Sequence, residues 1–228
     1  MNLSQNMYSK LHTDGYLVIE SCLEVTPRIV IFATKRADKF ARPIFNSNRN
    51  DRKRLQCTLR YSQKYMENFM RQARKIIKSN VSEELVMRDW VILKSKEGSK
   101  AQLAHTDYIM NDQLLECPDE VFPLSAIVAL TNGTKINVWS KSIKKADAVP
   151  DGETIPRQTL KLRAGDIFIF RGDLVHAGCY YDKLNYRLHC FLDSPHFSRK
   201  HNTTFVIKDI RKWERKLLDF KNKIEDSY

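Results

Sequence analysis

Apolar residues recur along this chain with two periods, and the change from one to the other falls near residue 84. Before that point the spacing is helical. In RYSQKYMENFMRQARKIIKSN, Tyr61, Tyr65, Phe69, Ala73 and Ile76/Ile77 fall at steps of three and four, which places them on one face of an amphipathic helix. In VTPRIVIFATKRADKFA, Thr26 stands as an N-cap and Pro27 at the first helical position, where its missing N–H has no partner to lose. MYSKLHTDGYLVIES reads as a short helix, a turn at Asp14–Gly15 and a strand. Residues 43–57 are polar and basic and predict a loop.

From residue 84 the segments become short, β-branched or aromatic. ELVMRDWVILKS, AQLAHTDYI, PLSAIVALT, TKINVWS, RQTLKLR, GDIFIFRG, LVHAGCYY and NYRLHCFLD are separated by Gly, Pro, Asn and Asp. Repeated short strands with this punctuation predict an antiparallel sandwich or barrel. A strand-like TTFVI and a final helix close the chain. In that helix Ile210, Trp213, Leu217, Phe220 and Ile224 make one apolar stripe. Two heptads are short for a free coiled coil, so the stripe is expected to pack on the chain's own core, which favours a monomer. The expectation is one mainly β domain with flanking helices: helical support over 1–83, a β core over 84–208 and a C-terminal helix over 209–228.

Composition narrows the function classes. The 228 residues suffice for one substantial core or two small ones, and the apolar runs are far too short to span a bilayer. The N-terminal MNLSQNMYSK has no apolar stretch of the secretory kind. Five cysteines without a CxxC spacing point to free thiols in a reducing compartment, the cytoplasm or the nucleus. The net charge of +12 is concentrated: residues 31–80 carry 14 Lys/Arg against 3 Asp/Glu. Such a segment suits nucleic acid or another acidic partner, or is a solvated pair of helix faces.

The chemistry sits in the strand-rich part. In AHTDY, His105 and Asp107 are two apart, so in an extended strand both point the same way and reach one metal ion. HxD alone is common by chance. A third ligand is expected on a strand adjacent in space, and AGDIFIFRGDLVHAG offers His176 after two Gly-Asp turns. Eleven residues later, NYRLHCFLD carries Arg187 in the middle of a bulky strand. A guanidinium is awkward to bury there unless a carboxylate pairs with it.

The order HxD…H…R on a strand-rich half resembles the Fe(II)/2-oxoglutarate-dependent dioxygenases, and the His–Arg step is most similar to the phytanoyl-CoA hydroxylase-like branch. DGYLVIE, ALTNGTKINVWSKSIKK and LRAGDIFIFRGDLVHAG resemble that branch's N-terminal strand, central hairpin and approach to the distal histidine. The resemblance covers most of residues 10–195. It implies a double-stranded β-helix (jelly-roll or cupin-like) core with N-terminal helices packed on it, and Fe(II) held by His105, Asp107 and His176. It also implies 2-oxoglutarate as cosubstrate, its distal carboxylate anchored by Arg187, and O₂ as substrate. The implied reaction couples decarboxylation of 2-oxoglutarate to C–H oxidation of an unidentified substrate, most simply a hydroxylation.

Three departures stand against the pattern. Trp139-Ser140-Lys141-Ser142 replaces the Pro-Gly-Ser-His of many relatives. His189 occupies the place two after the Arg, where Ser or Thr is usual. It shares a face with Arg187, so it assists with 2-oxoglutarate, lines the pocket or is an ordinary core histidine. The acidic NDQLLECPDEVFP after the HxD is a candidate cover for the site. The alternative function is a non-catalytic module on the same fold that binds nucleic acid or an acidic partner through residues 31–80. The intact set of four positions counts against it. Asp107 counts against a halogenase, Arg187 against a cupin enzyme without 2-oxoglutarate, and the residues around Arg187 against a nucleic-acid demethylase.

Overall fold

A computed structural model describes residues 10–44, 52–61, 63–140, 142–143, 156–199 and 204–210, with Lys212, Trp213, Arg215 and Asp219 beyond them. The alternating segments of the second half form strands, and every pairing is antiparallel. One sheet runs, in spatial order, β1 (Tyr16–Ile19), β9 (Ile167–Arg171), β6 (Leu124–Ala129), β11 (Asn185–Asp193), β4 (Val86–Ser95), β3 (Arg54–Thr58) and β2 (Arg42–Pro43). The other runs β12 (Phe205–Val206), β5 (His105–Thr106), β10 (Val175–Gly178), β7 (Thr134–Trp139) and β8 (Arg157–Leu162). The two sheets make a double-stranded β-helix, the core expected from the sequence.

Their inner faces meet in a cluster that takes Ile127, Ala129, Phe168 and Phe170 from the larger sheet and Ile136, Val138 and Leu162 from the smaller. Phe168 and Phe170 stack with centroids 4.6 Å apart. The outer face of the larger sheet is covered by the helices Pro27–Phe40 and Lys64–Lys78, with Ile29, Ala33, Phe69, Met70 and Ile77 packed against Ile92, Val128 and Leu188. Each large side chain buried in this way contributes about 1.5–3 kcal/mol. Among the described residues, no helix is long and apolar enough to cross a membrane. All five cysteines are free thiols.

Several local expectations are corrected. The buried stripe of the Lys64–Lys78 helix is Met66, Phe69, Met70, Ala73 and Ile77, whereas Tyr65 is 36% exposed. Thr26 holds the N-cap position, but its side chain makes no capping bond; its carbonyl accepts from Ile29 N at 3.0 Å instead. Residues 43–57 are not all loop, because β2 and β3 extend the larger sheet and the N-terminal third supplies strands as well as helices. The segment ALTNGTKINVWS is no hairpin: β6 and β7 belong to different sheets, and the turn at Asn132–Gly133 carries the chain across. AQLAHTDYI is a strand only at His105–Thr106.

The Gly-Asp turns have separate structural tasks. Asp166 accepts from Ser21 N at 2.8 Å and from Arg163 N at 2.7 Å, which ties the start of β9 to the chain beyond β1. Gly172 lies against the Tyr108 ring, and a Cβ there would run into it. Arg171 donates to both oxygens of Asp173, at 2.9 and 3.1 Å, closing the turn that delivers His176.

Candidate metal centre

β5 and β10 pair with His105 directly opposite His176. Their rings lie 4.4 Å apart between centroids. Asp107 sits just beyond the end of β5, and its Oδ1 is 3.7 Å from His176 Nε2. One ligand atom from each of the three residues lies within 4.8 Å of the other two, and all three residues are buried. The structure brings these three sequence-predicted side chains together.

Both imidazoles are oriented by backbone. His105 Nδ1 lies 2.8 Å from Leu103 O, and His176 Nδ1 lies 3.0 Å from Leu174 O. A carbonyl only accepts, so in the neutral ring Nδ1 carries the proton and Nε2 presents a lone pair to the centre. Burial pushes the His105 imidazole down to about 4, with nearby His176 adding to the effect, and burial lowers His176 as well. Both rings are therefore neutral near pH 7, the form a metal takes. Burial alone would raise the Asp107 carboxyl, but the His176 and His189 imidazoles hold it well below the usual carboxylate range. Two neutral nitrogens and one carboxylate on one side of a point suit an octahedral divalent metal with open positions.

These groups open onto a pocket between the two sheets. Val91, Leu93, Ile127, Ile136 and Phe191 give it an apolar wall, and Gln56, Gln102 and Thr204 add neutral polar groups. Arg187 lines the same pocket from β11 of the opposite sheet and is only 3% exposed. Its Nη1 donates to Ser95 Oγ at 3.0 Å and to Asn185 Oδ1 at 3.3 Å. Among the described residues no carboxylate pairs with it. A buried guanidinium in that condition suits an anionic ligand entering from the pocket.

His189 also lines the pocket, but its Nε2 lies 3.0 Å from Asp107 Oδ2. Its polar contact is with the carboxylate of the donor set rather than with Arg187. The acidic segment after Tyr108 does not line the pocket. Leu114, Cys117 and Phe122 instead join Tyr108, Phe191 and Phe197 in a separate cluster, and Asp119 bonds Arg171 at 3.4 Å.

No protein-family model matches the chain, and no curated protein matches it in sequence. Solved structures do match in fold. The epimerase SnoN in complex with Fe3+, alpha ketoglutarate and nogalamycin RO aligns with a TM-score of 0.62 at 16% identity, covering 83% of each chain. A prolyl hydroxylase from Trichoplax adhaerens, in complex with a hypoxia inducible factor oxygen degradation domain peptide fragment, aligns at 0.61 and 10% identity over 84% of this chain and 89% of its own. HygX from Streptomyces hygroscopicus, with nickel and 2-oxoglutarate bound, aligns at 0.60 and 12% identity over 87% and 90%. These are likenesses of fold. None of the three singles out the phytanoyl-CoA hydroxylase-like branch.

Sequence reasoning missed several supporting residues. Arg54, read as part of a basic loop, is fully buried. It donates to Lys100 O at 2.8 Å, to Gly178 O at 3.3 Å, to Cys179 O and to Ser95 Oγ at 3.3 Å, pinning the chain that follows β10. Ser95 thus accepts from both Arg54 and Arg187. Ser142, in the segment that departs from the family pattern, accepts from Val175 N at 2.8 Å, one residue before His176. No periodicity marks Arg54 or Ser142, because their partners are atoms remote in sequence.

Proposed function

We propose that the chain is an Fe(II)- and 2-oxoglutarate-dependent oxygenase, most simply a hydroxylase, formed as one domain by residues 1–228. The observation that carries this reading is the gathering, in one pocket, of two imidazoles and a carboxylate with a buried arginine that pairs with no carboxylate among the described residues. His105, Asp107 and His176 would hold the metal, and Arg187 would hold the distal carboxylate of 2-oxoglutarate. Bound iron with 2-oxoglutarate and O₂ supplies the oxidising power, and the cosubstrate leaves as succinate and CO₂.

The protein's own part is binding and exclusion. The Leu103 and Leu174 carbonyls fix the imidazoles, so no side-chain rotation has to be frozen when metal enters. Ser95 and Asn185 hold one edge of Arg187 and leave the rest of the fork for a carboxylate. The apolar wall keeps water from the reacting position and favours an uncharged C–H-bearing group in it. The decisive assay measures succinate formed from 2-oxoglutarate with Fe(II), with and without substrate pools. Turnover that needs both iron and 2-oxoglutarate is expected, and turnover indifferent to either refutes the reading.

A second reading concerns the basic segment, which we propose receives an acidic part of the substrate or of a partner such as nucleic acid. A surface groove lined by Ile31, Phe32, Lys35, Arg36, Lys39, Phe40, Gln63 and Tyr65 supports it. Ile31 and Phe40 are exposed, and Arg36 and Lys39 lie over the Phe40 ring at 4.9 and 5.2 Å. Arg54 is not part of this surface, being buried.

A further inference from the structure

We propose that His189 is a positioning residue for the metal: it holds Asp107 so that Oδ1 alone is presented to the ion. This rests on reading His105, Asp107 and His176 as the ligand set. Asp107 lies past the last residue of β5, where the ladder no longer constrains it. Its backbone neighbourhood is tied by Thr106 Oγ1 to Tyr108 O at 2.9 Å and by Tyr108 N to Gly172 O at 3.2 Å. Neither bond restrains the rotation of the carboxylate about its own axis. A carboxylate free to turn can offer either oxygen or both, and chelation by both would occupy a position needed by cosubstrate or O₂.

His189 removes that freedom. An ionised carboxylate only accepts, so the 3.0 Å contact is a bond from His189 Nε2–H to Asp107 Oδ2. With Oδ2 engaged, Oδ1 remains on the side of His176. His189 is itself held firmly. It pairs with Val91 on one side and Ile127 on the other, in the interior of the larger sheet. The ring of Phe191 meets its imidazole edge-on, at 4.8 Å and 87°. A register irregularity against β4 follows directly, between His189 and Phe191. Such a bulge re-aims neighbouring side chains and is frequent beside functional sites. The larger sheet thus reaches across to set a ligand carried by the smaller one.

Co(II) titration of the metal-free protein, followed by its d–d absorption, tests this without turnover. His189→Ala is expected to weaken Co(II) binding by about 10–100-fold and to alter the spectrum, as loss of an outer partner does. His189→Gln, whose side-chain Nε2–H can donate in the same direction, is expected to restore most of the affinity and the wild-type spectrum. Should the alanine variant fail to fold, His189→Leu takes its place, filling the space without a donor. Wild-type affinity and spectrum in the donor-less variant would overturn the proposal. Equal impairment of the glutamine and donor-less variants would overturn it too, because packing alone would then explain the loss. Failure of the wild-type protein to bind Co(II) would instead remove the ligand-set reading beneath it.

Discussion

His105 and His176 are opposite partners in the antiparallel β5–β10 pair, and each bonds through Nδ1 to the carbonyl two residues before it. The same local device is therefore used twice, from two strands running in opposite directions, so the two Nε2 atoms converge on one point. Asp107 completes the set because it follows His105 by two residues. The pairing turns one two-residue strand and one four-residue strand into a support for three candidate ligands.

His176→Ala removes one of the two convergent nitrogens. Stoichiometric Fe(II) binding and succinate formation are expected to be lost together. Equilibrium dialysis with metal analysis checks this, and wild-type occupancy in the variant refutes the ligand set.

Arg187→Ala should leave metal binding largely intact and weaken 2-oxoglutarate by about 2–5 kcal/mol, roughly 30-fold or more. Arg187→Lys should recover only part, because the two-pronged fork is lost. Arg187→Met makes a sharper case. It replaces a buried charge that pairs with no carboxylate among the described residues by an apolar chain of similar length, so the ligand-free melting temperature should rise while 2-oxoglutarate binding disappears. Calorimetry with the metal-loaded protein measures 2-oxoglutarate binding, and thermal denaturation the melting temperature. Unchanged 2-oxoglutarate affinity in either variant refutes the anchor.

Acid should destabilise the metal-free protein through its buried histidines. His105 takes up a proton near pH 6.5 when unfolded but only near about 4 when folded. Between these values the unfolded state binds more protons, so this contribution is complete above about pH 6.5 and is lost as pH falls toward about 4. His176 is shifted in the same direction. The melting temperature of His105→Gln should fall less over that interval than that of the wild type, and equal slopes would exclude His105 as a source.

The C-terminal helix begins against the smaller sheet: Trp213 Nε1 donates to Ser142 O at 3.2 Å, and Ser142 holds Val175 beside His176. Leu217, Phe220 and Ile224 of the expected stripe lie outside the described residues. Removal of residues 209–228 should lower the melting temperature and weaken metal binding without changing oligomeric state. A wild-type dimer that becomes a stable monomer on truncation, seen by light scattering, would make the helix an interface instead.

Binding of a single-stranded oligonucleotide or polyglutamate to the basic groove should weaken steeply with salt. Lys35→Glu with Lys39→Glu should abolish it. Salt-insensitive binding, or none to either polyanion, would leave these residues as a solvated helix face.

Periodicity and turn chemistry are local, and what depends on them was readable directly. The shift from helical to alternating spacing near residue 84 marked where the strand-rich core begins, and the two-residue step from His105 to Asp107 put both on one side. The His176–Arg187 spacing placed a nitrogen donor and a cation on successive strands. Tertiary structure alone decided which sheet each strand joined. It sent β6 and β7 into different sheets, so that Arg187 and the three candidate ligands face one pocket from opposite walls. It buried Arg54 among carbonyls, chose Met66 and Met70 over Tyr65 for the helix face, and set His189 against Asp107. Each of those outcomes depends on atoms far apart in sequence. Burial and hydrogen bonding are properties of the neighbours a side chain acquires, and those neighbours exist only once the sheets have paired.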